Sequence, residues 1–172
     1  SSVVPLPSSL TTYTHDGTTE LCMAAWARID GNELYCLGES GLSQVADLYP
    51  GPVGSSPSEM TVYDDGSGPK LYFRAQNDSD GRELYGYDGA NVSQVADINS
   101  GSGGSTPDGF VVYDDGSGPK LYFRADNGGD GEELHVYDGA SVSQVADIRS
   151  GSSSSDPTHL TVYDDGSGSK LY

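Results

Sequence analysis

Apolar residues in this chain come in short runs, four to every 50 residues, separated by turn-forming residues. In the stretch 61–110 the runs fall at 61–65, 70–75, 83–87 and 92–98. Gly66-Ser67-Gly68-Pro69 cannot continue a strand and predicts a hairpin loop between the first two. A polar stretch, 76–82, separates the second and third. Asp88-Gly89, a pair that tolerates positive φ, predicts a tight hairpin between the third and fourth. A Ser/Gly linker, 99–107, then leads to the next unit. No apolar spacing of helical period occurs, so the pattern predicts an all-β chain with four short antiparallel strands per unit.

The pattern repeats without insertion. Tyr13, Tyr63, Tyr113 and Tyr163 are 50 apart, as are Leu21, Leu71, Leu121 and Leu171. Residues 61–110 and 111–160 are identical at 35 of 50 positions, and residues 11–60 and 61–110 at 18. The chain therefore reads as one array, 1–172, with units at about 11–60, 61–110 and 111–160 and a partial fourth at 161–172. A unit of this length cannot bury its apolar face alone and must stack on its neighbours. Four strands per unit is the content of a propeller blade, so the expected architecture is a β-propeller-like array of four-stranded blades. The strands alternate only partly, as expected for blades covered on both faces. Three units and a fraction are too few to close a ring. The Ser start without a signal-like apolar stretch is expected of a trimmed chain, and the end within a strand pattern leaves three expectations: the rest of the ring is missing from this chain, a second molecule supplies it, or the array stays open.

Composition narrows the partners. Of 172 residues, 26 are acidic and 8 basic, a formal charge of −18. Nucleic acids and anionic membranes are disfavoured, because binding them requires Lys and Arg to displace counterions. No run of about 18 apolar residues predicts a membrane span. Protein and glycan partners remain.

The stretches "ELYGYDGANVSQVADINSGSGGS" and "ELHVYDGASVSQVADIRSGSSSS" resemble the ELWxxDGT-type repeats of surface proteins, with Tyr or His in place of Trp. They are also similar to kelch repeats in their period and in a Tyr-Asp turn before the outer strand, without the kelch Gly-Gly pair. The resemblance implies an extracellular, propeller-like, non-enzymatic repeat protein.

Few residues suggest chemistry. The loop between the second and third strands places Asp78, Asp80 and Glu83 in one unit and Asp126, Asp130 and Glu133 in the next. Closely spaced Asp and Asn followed by Gly is a weak match to a calcium loop, calcium being the one ion suggested and no other cofactor. The pairs Asp64-Asp65, Asp114-Asp115 and Asp164-Asp165 precede Gly-Ser-Gly each time, which favours a turn role over an asymmetric acid/base site. His15, His135 and His159 share no repeat position and no metal-ligand spacing. Cys22 and Cys36 are equidistant from Ile29, so a hairpin centred there would set them opposite each other and allow a disulfide, as in an oxidising compartment. Asn77 and Asn91 begin glycosylation acceptor triplets. Tyr is abundant, and Tyr72 with Tyr122 is the proposed repeated contact surface if those rings are exposed.

These observations lead to an expected function as a non-enzymatic structural or protein-interaction repeat. It would act outside the cytoplasm, as an extracellular, cell-surface or periplasmic protein, and could serve as an accessory subunit of a larger assembly. The alternatives are a lectin-like, carbohydrate-binding propeller and a fragment of a larger propeller enzyme.

Overall fold

A computed structural model describes residues 8–172. The first unit contains β1 (Ser8–His15), β2 (Thr18–Ala27), β3 (Gly31–Gly38) and β4 (Gly41–Ala46). The second contains β5 (Ser58–Asp64), β6 (Pro69–Gln76), β7 (Arg82–Tyr87) and β8 (Val92–Ala96), and the third β9 (Asp108–Asp114), β10 (Pro119–Asp126), β11 (Glu132–Tyr137) and β12 (Val142–Ala146). Each unit is an antiparallel meander in sequence order, and β13 (Val162–Asp164) pairs with β14 (Ser169–Leu171) to begin a fourth. There is no helix among the described residues, and hence none long and apolar enough to cross a membrane.

The hairpins form where the turn residues predicted them. Two boundaries of the second unit differ by more than one residue. The first strand of the second unit starts at Ser58, with an irregular register between Ser58 and Thr61. Its fourth strand ends at Ala96 rather than at Ile98. The Ile98 and Asn99 amides instead donate to the side chain of Glu83, which removes them from the ladder.

Two apolar layers lie between the sheets. Tyr13, Cys22, Leu34 and Cys36 of the first unit pack on Leu71, Phe73, Ala75, Tyr85 and Tyr87 of the second. On the other side of the second sheet, Tyr63, Tyr72 and Leu84 pack on Leu121, Phe123, Ala125 and Tyr137 of the third. The middle sheet is thus buried on both faces, which is why its strands do not alternate cleanly. On β6, consecutive residues Leu71, Tyr72 and Phe73 are all buried, and Tyr72 faces the opposite way from its neighbours.

Candidate functional site

The seams between units gather the repeated polar residues into three devices, of which the first two recur in every full unit and the third begins with the second unit.

The first is a tyrosine latch. The Tyr13 hydroxyl donates to the Pro69 carbonyl at 3.0 Å, Tyr63 to Pro119 at 2.9 Å and Tyr113 to Ser169 at 2.9 Å. The 50-residue tyrosine period is therefore a contact between each unit and the next. Burial pushes the Tyr13 hydroxyl up to about 12, with neighbouring Tyr87 and carboxylates adding to the rise.

The second is a carboxylate brace. Glu33, Glu83 and Glu133 are fully buried, with no cationic partner among the described residues. The Glu83 carboxylate accepts the amides of Ile98 at 3.1 Å, Asn99 at 3.3 Å and Ser105 at 2.7 Å, and the Ser105 hydroxyl at 2.5 Å. Glu33 accepts the amides of Leu48, Tyr49 and Ser55 and the Ser55 hydroxyl. Glu133 accepts the amides of Ile148 and Ser155 and the Ser155 hydroxyl. A buried carboxylate is tolerable when several donors replace its water. Burial raises Glu33 and Glu83 above the usual carboxylate range, their hydrogen bonds offsetting only part of it. At Glu133, next to the incomplete fourth unit, the same bonds outweigh burial and the carboxyl lies lower than usual.

The brace also reaches the next unit. The Ser55 carbonyl accepts the Gln76 amide at 2.9 Å, and the Ser105 carbonyl accepts the Asp126 amide at 3.0 Å. The linker runs so close to the third strand that a Cβ on Gly104 would lie 2.3 Å from the Arg82 amide nitrogen; glycine is required there.

The third device is the Asp-Asp turn. Asp64 accepts the amides of Gly66 and Gly68. Asp65 accepts the Ser67 amide and hydroxyl through one oxygen, and Lys70 Nζ at 2.5 Å and the Tyr72 hydroxyl at 2.9 Å through the other. Burial alone would raise Asp65, but Lys70, Ser67 and Tyr72 outweigh it and hold the carboxyl at about 2. The third and fourth units repeat the turn bonds. The turn role expected of these pairs is what the geometry provides.

The calcium set does not assemble. Glu83 and Glu133 point into the fold and are committed to the linker. In the loop itself, the Asn77 side-chain oxygen accepts the Ser79 and Asp80 amides, and Asn77 Nδ2 donates to Asp80 at 2.9 Å. Asn127 does the same for Gly129 and Asp130. Asp126 accepts the Gly128 amide, and Asp78 is exposed on the turn. These loops are closed by asparagine, and among the described residues the loop carboxylates form no ligand group with Glu83 or Glu133.

Tyr72 and Tyr122 are corrected as a contact surface. They are only 1% and 8% exposed, because the position faces the following unit. Tyr72 sits 5.5 Å from both Tyr63 and Tyr137, ring centre to ring centre, within the seam. Asn91 is exposed on its hairpin, whereas the Asn77 amide that would carry a glycan is engaged with Asp80 and Tyr85.

Cys22 and Cys36 are directly opposed on β2 and β3 and form a disulfide. The braces were not foreseen as such. Their signal was present in the constant 22-residue offset from Glu33 to Ser55, Glu83 to Ser105 and Glu133 to Ser155. Comparison with known family models, curated proteins and solved structures finds no match.

Proposed function

We propose that this chain is a non-enzymatic repeat scaffold of propeller-like blades that works outside the cytoplasm through protein contacts. The observation that carries this reading is the commitment of its repeated acidic groups. Each carboxylate of the brace and of the Asp-Asp turn is held by structural donors at every copy, and none stands in an asymmetric cluster of unlike environments of the kind acid/base chemistry uses. Support for the blade arrangement comes from three meander sheets in one order, stacked face to face. The disulfide supports an oxidising compartment.

The surface left for contact is the turn edge of the array, with the Asp-Gly hairpins at 88–89 and 138–139 and the Asp-Asp turns, on a chain of charge −18. A partner with a basic face fits it, and the repeated edge allows several equal contacts at once. The lectin-like alternative has one observation in its favour. A cavity of about 160 Å³ between the second and third units is lined by Lys70, Tyr72, Asp88, Ser93 and Tyr137.

Binding of the purified chain to a panel of basic proteins, and to a glycan array, separates the two. Protein binding that weakens with salt is expected, with a silent glycan array. Glycan binding competed by a simple sugar would replace the scaffold reading with the lectin.

A further inference from the structure

Four side chains on one face of the first sheet are metal-ligand types. The register opposes Cys22 to Cys36 and Tyr13 to Glu20, and His15 lies two residues beyond Tyr13. His15, Glu20, Cys22 and Cys36 therefore share the face turned to the second unit. A Glu20 carboxylate oxygen and the two Sγ atoms lie within 4.8 Å of one another. His15 stands outside that group and borders it at Glu20, its Nε2 3.7 Å from Glu20 Oε2. That oxygen is buried and accepts no hydrogen bond from the described residues, a condition that calls for an explanation. On its other side the imidazole abuts the second unit: a Cβ on Gly89 would fall 2.3 Å from His15 Nδ1. Nε2 is thus the nitrogen turned to Glu20.

The repeat shows how unusual this set is. The same four positions are Asp65, Lys70, Tyr72 and Gly86 in the second unit, and Asp115, Lys120, Tyr122 and Val136 in the third. All four differ in the first unit, and both of the chain's cysteines stand among them. Packing alone does not ask for this, since a bridge needs only the two cysteines. Two thiolates, an imidazole and a carboxylate make a four-ligand set of the kind Zn²⁺ takes in tetrahedral sites.

We propose that His15, Glu20, Cys22 and Cys36 bind one Zn²⁺ when the Cys22–Cys36 bond is reduced. A dithiol supplies two electrons and two protons and becomes a disulfide itself. The Sγ–Sγ bond breaks and leaves two thiols. Zn²⁺ then displaces both thiol protons and is held by the two thiolates, Nε2 and the Glu20 carboxylate. The third strand stays tied to the second in either state, by a covalent bond or by a metal.

The test is a titration of the 172-residue chain with Co²⁺ and Zn²⁺, reduced and oxidised, with circular dichroism followed throughout. The reduced chain should take up one ion and show the sulfur-to-cobalt charge-transfer band with the d–d bands of tetrahedral Co²⁺. The oxidised chain and Cys22→Ser/Cys36→Ser should not. Glu20→Gln and His15→Ala should each weaken Zn²⁺ by at least about 10–100-fold, the effect of losing even an outer partner. Equal affinity in wild type and either of these variants would overturn the four-residue site. So would reduced wild type binding no better than the double Cys variant. If reduction unfolds the first unit, Zn²⁺ should restore its β signal, and failure to restore it would also count against the site.

Discussion

The first unit and the second bury the same seam by different means. At the seam that follows the second unit, Tyr72 fills the space opposite Gly86 and donates to Asp65, which holds Lys70. At the seam that follows the first, a disulfide replaces the Tyr-Gly pair, and His15 with Glu20 replaces Asp65 with Lys70, the acid and base exchanged. The latch and the brace are the same in both. The contrast separates what the stack requires from what it only needs filled. A hydroxyl on the next unit's carbonyl and a carboxylate under the linker recur in every full unit. The middle of the seam accepts an aromatic ring or a covalent bridge.

If that division is right, the brace is the most sensitive point. Glu83→Ala leaves the buried Ser105 amide and hydroxyl and two partly buried amides without an acceptor, and is expected to cost about 3–5 kcal/mol. Glu133→Ala should cost less, since its bonds are all only partly buried. Chemical denaturation of the two variants measures the difference. Equal, small losses would show that the linker holds itself and that the brace is incidental.

The filler comes next. Reducing Cys22–Cys36, which are 14 residues apart, should cost about 3 kcal/mol in the chain-entropy view. The loss should be confined to the first unit, visible as faster hydrogen exchange in β2 and β3 while the second unit is unchanged. Spread of the effect into β6 and β7 would mean that the bridge supports the stack rather than one hairpin.

The latch is expected to matter less, and equally at both seams. Tyr13→Phe and Tyr63→Phe each remove one hydrogen bond and keep the ring, for about 0.5–1.5 kcal/mol. Unequal costs in denaturant titrations would show that the disulfide seam and the aromatic seam do not load the latch alike.

The elements legible from sequence were those fixed by local rules. Turn residues placed the hairpins, and equal offsets about Ile29 placed Cys22 opposite Cys36. What escaped was orientation. The 50-residue tyrosine period was visible, but whether Tyr72 faced solvent or a neighbour depended on what stacked against β6. The repeat predicted that stacking without saying which rings it covers. Glu83 looked like the end of an acidic loop because its true partners, Ile98, Asn99 and Ser105, lie 15, 16 and 22 residues away. The His15–Glu20–Cys cluster was hidden for a related reason. Its members look unrelated by spacing and meet only through the register of β1, β2 and β3.

The smallest expected effect concerns the second and third units, which differ at one buried ring. Tyr85 stacks on Phe73, and His135 takes the same place on Phe123. Burial pushes His135 below its ordinary value, only partly opposed by the Glu133 carbonyl and nearby carboxylates. Burial raises Tyr85 to about 12, so it does not titrate near neutrality. The folded state therefore resists a proton that the unfolded chain accepts at about 6.5. The contribution of His135 to stability is complete above that value. It declines as the pH falls from there toward the lowered folded value, because the unfolded state binds more protons in this interval. Denaturation midpoints at pH 7.5 and 5.5 should then show a loss that His135→Tyr diminishes, with the reverse exchange, Tyr85→His, adding a second such loss. If His135→Tyr leaves the pH dependence unchanged, the sensitivity belongs to the carboxylates, and the ring position is neutral filler in both units.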